Sequence, residues 1–166
     1  MNFAPTVDLY TNHDSSVIGP RSFSEDAQHT GVLGAAFSAG SLAAGVIPTA
    51  KHYPGHGDTN VDSHIGLPVV DYDDERINNM ELVPFKKVIE EDLPGIMASH
   101  MLYRHYDPVY PTTLSNIMVQ KKLREELGFK GLVVTDSLTM QAVFNNFSLE
   151  EIVLNGFNSG CDILLL

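Results

Sequence analysis

The sequence has one cysteine, few basic residues and no long apolar run, and each shortage removes a class of protein. The single cysteine, Cys161, cannot form an internal disulfide, so a disulfide-stapled framework is excluded. Only 10 Lys and Arg residues accompany 21 Asp and Glu residues, and the net charge of -11 disfavours nucleic acid as a partner. No apolar stretch approaches the roughly 18 residues that a membrane span requires.

The amino terminus carries no signal peptide, which favours a cytoplasmic over a secreted location. The chain opens directly in a predicted strand, so a targeting segment upstream of it stays open. Its 166 residues are 43% hydrophobic and 19% charged, which is ordinary for a globular protein. We expect a single domain over residues 1–166.

Short apolar runs rich in β-branched residues alternate with longer stretches of helical periodicity, a pattern typical of parallel βαβ units. The predicted strands are 3–9, 46–50, 95–99, 132–135 and 162–166. The predicted helices are 26–44, 74–80, a new helix that has Pro84 in its first turn and runs to Glu91, 115–127 and 148–158. This alternation fits either a doubly wound sheet or part of an eight-stranded barrel, and periodicity leaves both open.

Polar side chains lie at or just past the carboxyl ends of four predicted strands. They are Asp8, Lys51 with His52, His100 and Asp136. In parallel α/β folds the loops at this edge converge on one mouth, where active sites assemble. We therefore predict parallel strands that are neighbours in chain order, with these side chains at one mouth.

The densest polar segment is the loop 51–64, KHYPGHGDTNVDSH, in which a proline and two glycines oppose helix. Asp62 and His64 are separated by one residue, so in an extended chain their side chains point to the same side. A carboxylate orients an imidazole and raises its proton affinity, which makes the pair a candidate general acid. A metal-dependent hydrolase also stays open, because the loop holds zinc or iron ligand types without a metalloprotease spacing: His52, His56, Asp58, Asp62 and His64.

Two further charged residues have positions that fit a binding site. Asp136 closes the apolar run 131–135, where a carboxylate is costly without a role or a partner, although it could cap the following helix. Arg21 lies in a turn-rich stretch before the first predicted helix. Its guanidinium can bind a ligand hydroxyl or pair with Glu25 or Asp26.

Several segments match a known family in order along the chain. The central one is IPTAKHYPGHGDT at 47–59, which continues into DSHIGLP at 62–68. The others are NFAP at 2–5 with Asp8, RSF at 21–23, LREELGF at 123–129 and VVTD at 133–136. Together they resemble glycoside hydrolase family 3, in its β-N-acetylglucosaminidase branch, and the resemblance covers nearly the whole chain.

This resemblance implies a retaining glycosidase that releases terminal β-linked N-acetylglucosamine from oligosaccharides or peptidoglycan fragments. It implies that Asp136 is the nucleophile, which forms a covalent glycosyl-enzyme, and that His64, held by Asp62, is the acid/base. The substrate-binding residues are then Arg21, Lys51 and His52, to which we add Asp8 at the first strand end. No cofactor and no metal is expected, and the expected partner is a carbohydrate.

The implied fold is a parallel (β/α)8-type barrel, here reduced to about five β/α units. An incomplete barrel leaves two open sheet edges, so we expect self-association through them. The alternative function, from another class, is a catalytically silent carbohydrate-binding fragment.

Overall fold

A parallel three-stranded sheet lies at the centre of the fold. The computed structural model describes residues 1–13, 17–56, 59, 63 and 65–166. The sheet has the order β1-β3-β5 and consists of β1 (Ala50–Tyr53), β3 (Gly95–Ala98) and β5 (Leu132–Thr135). Parallel neighbours in chain order are what the sequence predicts.

The first predicted strand lies beside β1 but forms only two isolated bridges. Asn2 pairs with Pro48 and Thr6 pairs with Lys51, both in parallel. Pro5 has no N–H to donate to a ladder, so regular pairing cannot pass through it. The predicted strand is therefore in the expected place, with less regular structure than expected.

The last predicted strand lies on the other side of the sheet, next to β5. It is reduced to a single parallel bridge between Ile163 and Val134. Asp162 and Ile163 both donate their N–H groups to the carbonyl of Val133, at 2.8 and 3.2 Å, so a regular register is not established. Within the described residues the strands form open sheets and not a closed barrel.

The second predicted strand, 46–50, is displaced toward the carboxyl terminus. Gly45 ends the preceding helix with a φ of 74°, and Val46 and Ile47 are 39% and 40% exposed, so the chain enters the sheet late. The register between β1 and β3 is irregular between Ala50 and Tyr53. Three residues expected after the strand, Lys51, His52 and Tyr53, therefore lie inside it.

A second, two-stranded parallel sheet was not predicted. It pairs β2 (Val69–Val70) with β4 (Leu102–Tyr103). Strands of two residues are too short to produce an alternating pattern in the sequence.

The first and last predicted helices are confirmed almost to the residue. Helix α1 (Ala27–Ala43) begins after Asp26, which accepts the N–H of His29 at 2.7 Å. Helix α5 (Leu149–Asn158) begins with a capping box between Ser148 and Glu151. The remaining short elements are 3-10 turns at Gly19–Arg21 and Thr112–Leu114 and helix α4 (Gln141–Phe144).

The two middle helical regions contain π-helical segments that the sequence did not predict. Helix α2 (Asp74–Arg76) continues through a π-helical turn (Ile77–Glu81) into α3 (Leu82–Glu90), so the break expected between 80 and 84 is absent. Pro84 does lie in the first turn of α3, as predicted. The predicted helix 115–127 is found as a π-helix (Ile117–Glu126).

The core lies between the sheet and the packed helices α1 and α3. Gly34 of α1 permits this approach, because a Cβ there would lie 2.6 Å from Val7. The largest apolar cluster includes Tyr53, Phe85, Ile96, Leu123 and Val133. No helix in the described part of the chain has the length and apolar character of a membrane span.

Candidate active site

A cleft of about 190 Å³ opens at the carboxyl edge of the central sheet. Its walls come from the turn before α1, from β1 and the loop after it, and from the residue after β5. The lining residues are Val17, Ile18, Arg21, Lys51, His52, His56, Ser63 and Asp136. Of the side chains predicted at one mouth, Lys51, His52 and Asp136 line the cleft. Asp8 and His100 are buried and are not among its lining residues.

Asp8 lies behind the cleft wall, only 1% exposed, and holds two histidines in place. Its carboxylate accepts the backbone N–H of His52 at 3.1 Å and that of His56 at 2.7 Å, and it contacts Nδ1 of His52 at 2.7 Å. Burial acts to raise the pKa of Asp8, but the charge and hydrogen bonds of His52 outweigh it and hold the pKa below its ordinary value. Direct contact of Asp8 with a sugar stays a prediction.

His52 is oriented by this buried carboxylate. An ionised carboxylate only accepts hydrogen bonds, so Nδ1 of His52 carries the proton and Nε2 is the nitrogen left for a ligand. Regular alternation would send Lys51 and His52 to opposite faces of β1. The irregular register of β1 coincides with these residues, and both line the cleft.

Lys51 and Arg21 bring two positive charges to the cleft. Burial, followed by the charge of Arg21, lowers the pKa of Lys51, while Asp136 and Asp8 act in the opposite direction. Arg21 donates from Nη2 to the carbonyl of Val17 at 2.5 Å. The alternative pairing with Glu25 or Asp26 is not found, since Glu25 contacts His13 and Asp26 caps α1.

Asp136 presents one carboxylate oxygen to the cleft. Its N–H donates to the carbonyl of Ala98 at 2.9 Å, which fixes the backbone against β3. Its Oδ1 accepts the N–H of Ser137 at 2.8 Å, whereas Oδ2 has no hydrogen-bond partner among the described residues. Helix α4 begins after Met140, so Asp136 does not cap the next helix. The geometry leaves Oδ2 available for chemistry.

Residues 1–166 match the Glycosyl hydrolase family 3 N terminal domain. The chain belongs to glycosyl hydrolase family 3. It is 42% identical over 178 residues to Beta-hexosaminidase A of Pseudoalteromonas piscicida, a match that covers 100% of this chain and 30% of that protein. The likeness seen in the sequence is therefore confirmed.

Two solved structures give the same result for the fold. A glycoside hydrolase family 3 beta-N-acetylglucosaminidase from Paenibacillus sp. str. FPU-7 is 40% identical, with a TM-score of 0.96, over 99% of this chain and 32% of that one. NagZ from Neisseria gonorrhoeae in complex with N-trifluoroacetyl-D-glucosamine is 32% identical, with a TM-score of 0.87. This match covers 99% of this chain and 46% of that one. The chain thus spans less than half the length of these relatives.

His56 lines the cleft of this family 3 chain, although the sequence indicated it only as a candidate metal ligand. Its ring contacts the hydroxyls of Thr59 at 2.8 Å and Ser63 at 3.2 Å. Burial lowers the pKa of His56, and the charge of Asp8 opposes this effect. The available signals were its place four residues after His52 in one non-helical loop and its position inside the family-like segment 47–59.

The predicted acid/base pair lies outside the described residues. Neither Asp62 nor His64 is among them, so their predicted contact stays a prediction. Ser63, which stands between them in the sequence, is described and lines the cleft.

No metal centre is found in the part of the chain that the structure describes. There, no group of three or more His, Cys, Asp or Glu side chains is arranged to hold an ion. Both ring nitrogens of His56 already contact hydroxyls. Nδ1 of His52 contacts the buried carboxylate of Asp8, and Asp58 lies outside the described residues.

The described cleft does not supply the pair of carboxylates that most glycosidases use. Asp136 is one carboxylate, and its Oδ2 is available. The carboxylate of Asp8 is buried and already accepts hydrogen bonds from His52 and from the backbone N–H of His56. The loop after β1 borders the same cleft through His56 and Ser63.

Proposed function

We propose that this chain is part of a retaining glycoside hydrolase that releases terminal β-linked N-acetylglucosamine from oligosaccharides or peptidoglycan fragments. The observation that carries the proposal is the position of Asp136, whose Oδ2 shares a cleft with Lys51, Arg21 and His52. The printed names of the relatives, a beta-hexosaminidase and a beta-N-acetylglucosaminidase, support the substrate class.

In the first step Oδ2 of Asp136 attacks the anomeric carbon, and the bond from that carbon to the aglycone oxygen breaks. His64 gives its proton to the departing oxygen, and Asp62 orients the imidazole. In the second step His64 takes a proton from water, the water oxygen attacks the anomeric carbon, and the bond to Asp136 breaks. Two inversions at one carbon retain the configuration.

The terminal sugar is bound by donors that surround the nucleophile. Lys51 and Arg21 offer N–H groups to sugar hydroxyls. His52 offers Nε2, with its ring fixed by Asp8. Because the buried carboxylate of Asp8 already orients the imidazole of His52, little conformational entropy is lost at this side chain when the sugar binds.

We also propose that residues 1–166 form one partial catalytic domain. The sheet carries isolated bridges on both sides of its regular strands, so its edges are open to further pairing. Self-association through these edges is the corresponding proposal for this chain in isolation. Light scattering at micromolar concentration tests it, and a monodisperse monomer would contradict it.

The proposed function is tested with the full-length protein that contains this chain. We expect turnover of nitrophenyl β-N-acetylglucosaminide, retention of configuration by NMR, and the same rate with and without a chelator. Loss of the rate with chelator would favour a metal-dependent hydrolase. Binding without turnover would favour a silent carbohydrate-binding protein. The matched variant Asp136→Asn keeps the side-chain shape, and we expect its rate to fall by about 10⁴-fold or more.

A further inference from the structure

His100 connects the proposed nucleophile to the rigid interior of the fold. It follows β3 by two residues, is 1% exposed, and is not among the described residues that line the cleft. Its ring contacts Thr113 Oγ1 through Nδ1 at 2.8 Å and the carbonyl of Ser137 through Nε2 at 2.7 Å. The ring therefore links the residue after Asp136 to the buried 3-10 turn at Thr112–Leu114.

The partners of His100 determine where its proton lies. The carbonyl of Ser137 can only accept, so Nε2 carries the hydrogen and donates it. In the neutral ring Nδ1 is then an acceptor, and the hydroxyl of Thr113 donates to it. Thr113 is fully buried, and its own carbonyl accepts from Ser159 at 3.0 Å. Thr113, at the interior end of this connection, is thus held by both His100 and Ser159.

Ser137 transmits this restraint to the carboxylate. Its carbonyl accepts from His100, and its N–H donates to Oδ1 of Asp136 at 2.8 Å. The N–H of Asp136 is held by the carbonyl of Ala98, in the strand that precedes His100. With Oδ1 and the backbone both fixed, Oδ2 is the only oxygen of this carboxylate left for the cleft in the described structure.

We propose that His100 is a positioning residue for the glycosylation step, acting through Ser137 to aim Oδ2 of Asp136 at the anomeric carbon. The inference rests on the proposed function, because it needs Asp136 to be the nucleophile. His100 is not among the described residues that line the cleft, so in this proposal it acts through Ser137. Its loss should leave the sugar-binding side chains in place and misdirect the attack, and supporting residues of this kind are typically worth about 10- to 100-fold in activity.

Two substitutions of His100 separate its two hydrogen bonds. In His100→Gln the terminal amide reaches the position of Nε2 and can donate to Ser137. In His100→Asn the shorter amide reaches the position of Nδ1 and can contact only Thr113. Both variants lose the packing of the imidazole ring. They differ in the hydrogen bond to Ser137, which only the glutamine can make.

The experiment measures single-turnover release of nitrophenolate from nitrophenyl β-N-acetylglucosaminide by the full-length enzyme. We expect His100→Asn to lower the glycosylation rate by about 10- to 100-fold with an unchanged KM, and His100→Gln to recover most of this loss. Equal rates for the two variants, or a change in KM alone, would overturn the inference. If both fail to fold, Thr113→Val against Thr113→Ser gives the same comparison at the other end of the ring, and equal rates for that pair would overturn it too.

A second readout keeps the two proposals apart. A fluorinated N-acetylglucosaminyl fluoride, which forms a slowly hydrolysed glycosyl-enzyme, should label Asp136 in the wild-type enzyme, as detected by mass spectrometry of its peptide. Absence of the label would refute Asp136 as nucleophile and the role of His100 with it. A wild-type label that forms at the same rate in His100→Asn would refute the role of His100 alone.

Discussion

The two edges of the central sheet are built from different kinds of residue. At the carboxyl edge, Asp136 and the segment after β1 carry charged and imidazole side chains into a cleft. At the amino edge, Gly95 and Gly131 stand where the strands begin, packed so closely that added Cβ atoms would lie 2.9 Å from Thr49 Oγ1 and 2.5 Å from the carbonyl of Pro94. The carboxyl edge brings charged and imidazole groups together in one cleft, whereas Gly95 and Gly131 at the amino edge pack directly against neighbouring strands and loops.

The difference teaches which edge is built for chemistry and which for stability. Charged groups near a cleft cost desolvation energy, and they persist where binding or catalysis needs them. Close backbone packing at Gly95 and Gly131 gains dispersion contacts and leaves no room for a side chain at either position. Substitutions at the carboxyl edge should therefore change rates, and those at the amino edge should change the free energy of unfolding.

After substitution of the nucleophile, the largest effect is expected for the proposed acid, and it depends on the leaving group. In His64→Ala, glycosylation with a natural disaccharide should slow by about 10²- to 10⁴-fold, because a sugar alkoxide needs a proton as it departs. Nitrophenolate departs with little protonation, so the aryl glycoside should lose much less. Stopped-flow or rapid-quench measurement of both substrates checks this. Equal losses would show that His64 does not protonate the leaving group.

The milder variant Asp62→Ala gives the control for this assignment. The imidazole survives but loses the carboxylate proposed to orient it, so the same dependence on leaving group should appear with smaller losses. If the losses in Asp62→Ala did not depend on the leaving group, Asp62 would not act through the proton donor His64.

The sequence predicts the framework and one half of the site. Apolar runs bounded by glycine and polar residues gave the order of the strands, and Asp136 follows from the run that ends at Thr135. The boundaries of β1 were wrong because its ladder is irregular between Ala50 and Tyr53, and no local pattern signals an irregular register.

Contacts between distant parts of the chain were beyond the reach of sequence periodicity. Asp8 and His52 are 44 positions apart, and His100 and Ser137 are 37 apart, so neither pairing has a spacing signal. The family resemblance supplied roles for individual residues but did not say which of them are anchored by buried partners. Those partnerships depend on how the strands pack side by side.

Asp8 is an exception to this division between the edges. It lies at the carboxyl edge but is buried, so its substitution should change stability. Asp8→Ala leaves Nδ1–H of His52 and the N–H groups of His52 and His56 without their acceptor, which we expect to cost about 3–5 kcal/mol in the free energy of unfolding. The matched control is Asp71→Asn, which breaks an exposed pair with Arg104 at 3.3 Å and should cost about 0–1 kcal/mol. Urea unfolding at pH 7 compares them, and equal costs would contradict the anchor.

The same carboxylate predicts a dependence of stability on pH. The pKa of Asp8 is lower in the folded than in the unfolded protein, so its contribution is fully present above the unfolded pKa, about 3.9. That contribution is lost as the pH falls through the folded pKa. Unfolding of Asp8→Asn should lack this acid component below about pH 4, and a wild-type-like acid dependence in the variant would argue against it.

The smallest effect is expected at the amino edge and should leave catalysis intact. In Gly131→Ala the new Cβ would lie 2.5 Å from the carbonyl oxygen of Pro94 and 2.7 Å from the ring of Phe129, so the backbone must shift. We expect a loss of about 1–3 kcal/mol in the free energy of unfolding and an unchanged kcat. Gly40→Ala is the control, since a Cβ there meets nothing within 4 Å and a glycine inside α1 is replaced by a better helix former. That variant should gain about 0.5–1 kcal/mol in the free energy of unfolding.

Because the strand leads from Gly131 directly to Asp136, a strained start to β5 could shift the carboxylate only if the strand moved as a rigid rod. The bonds that pair β5 with β3 along its whole length resist such a movement. A fall in kcat for Gly131→Ala without a loss of stability would show that the two edges are mechanically coupled, and the division between them would fail.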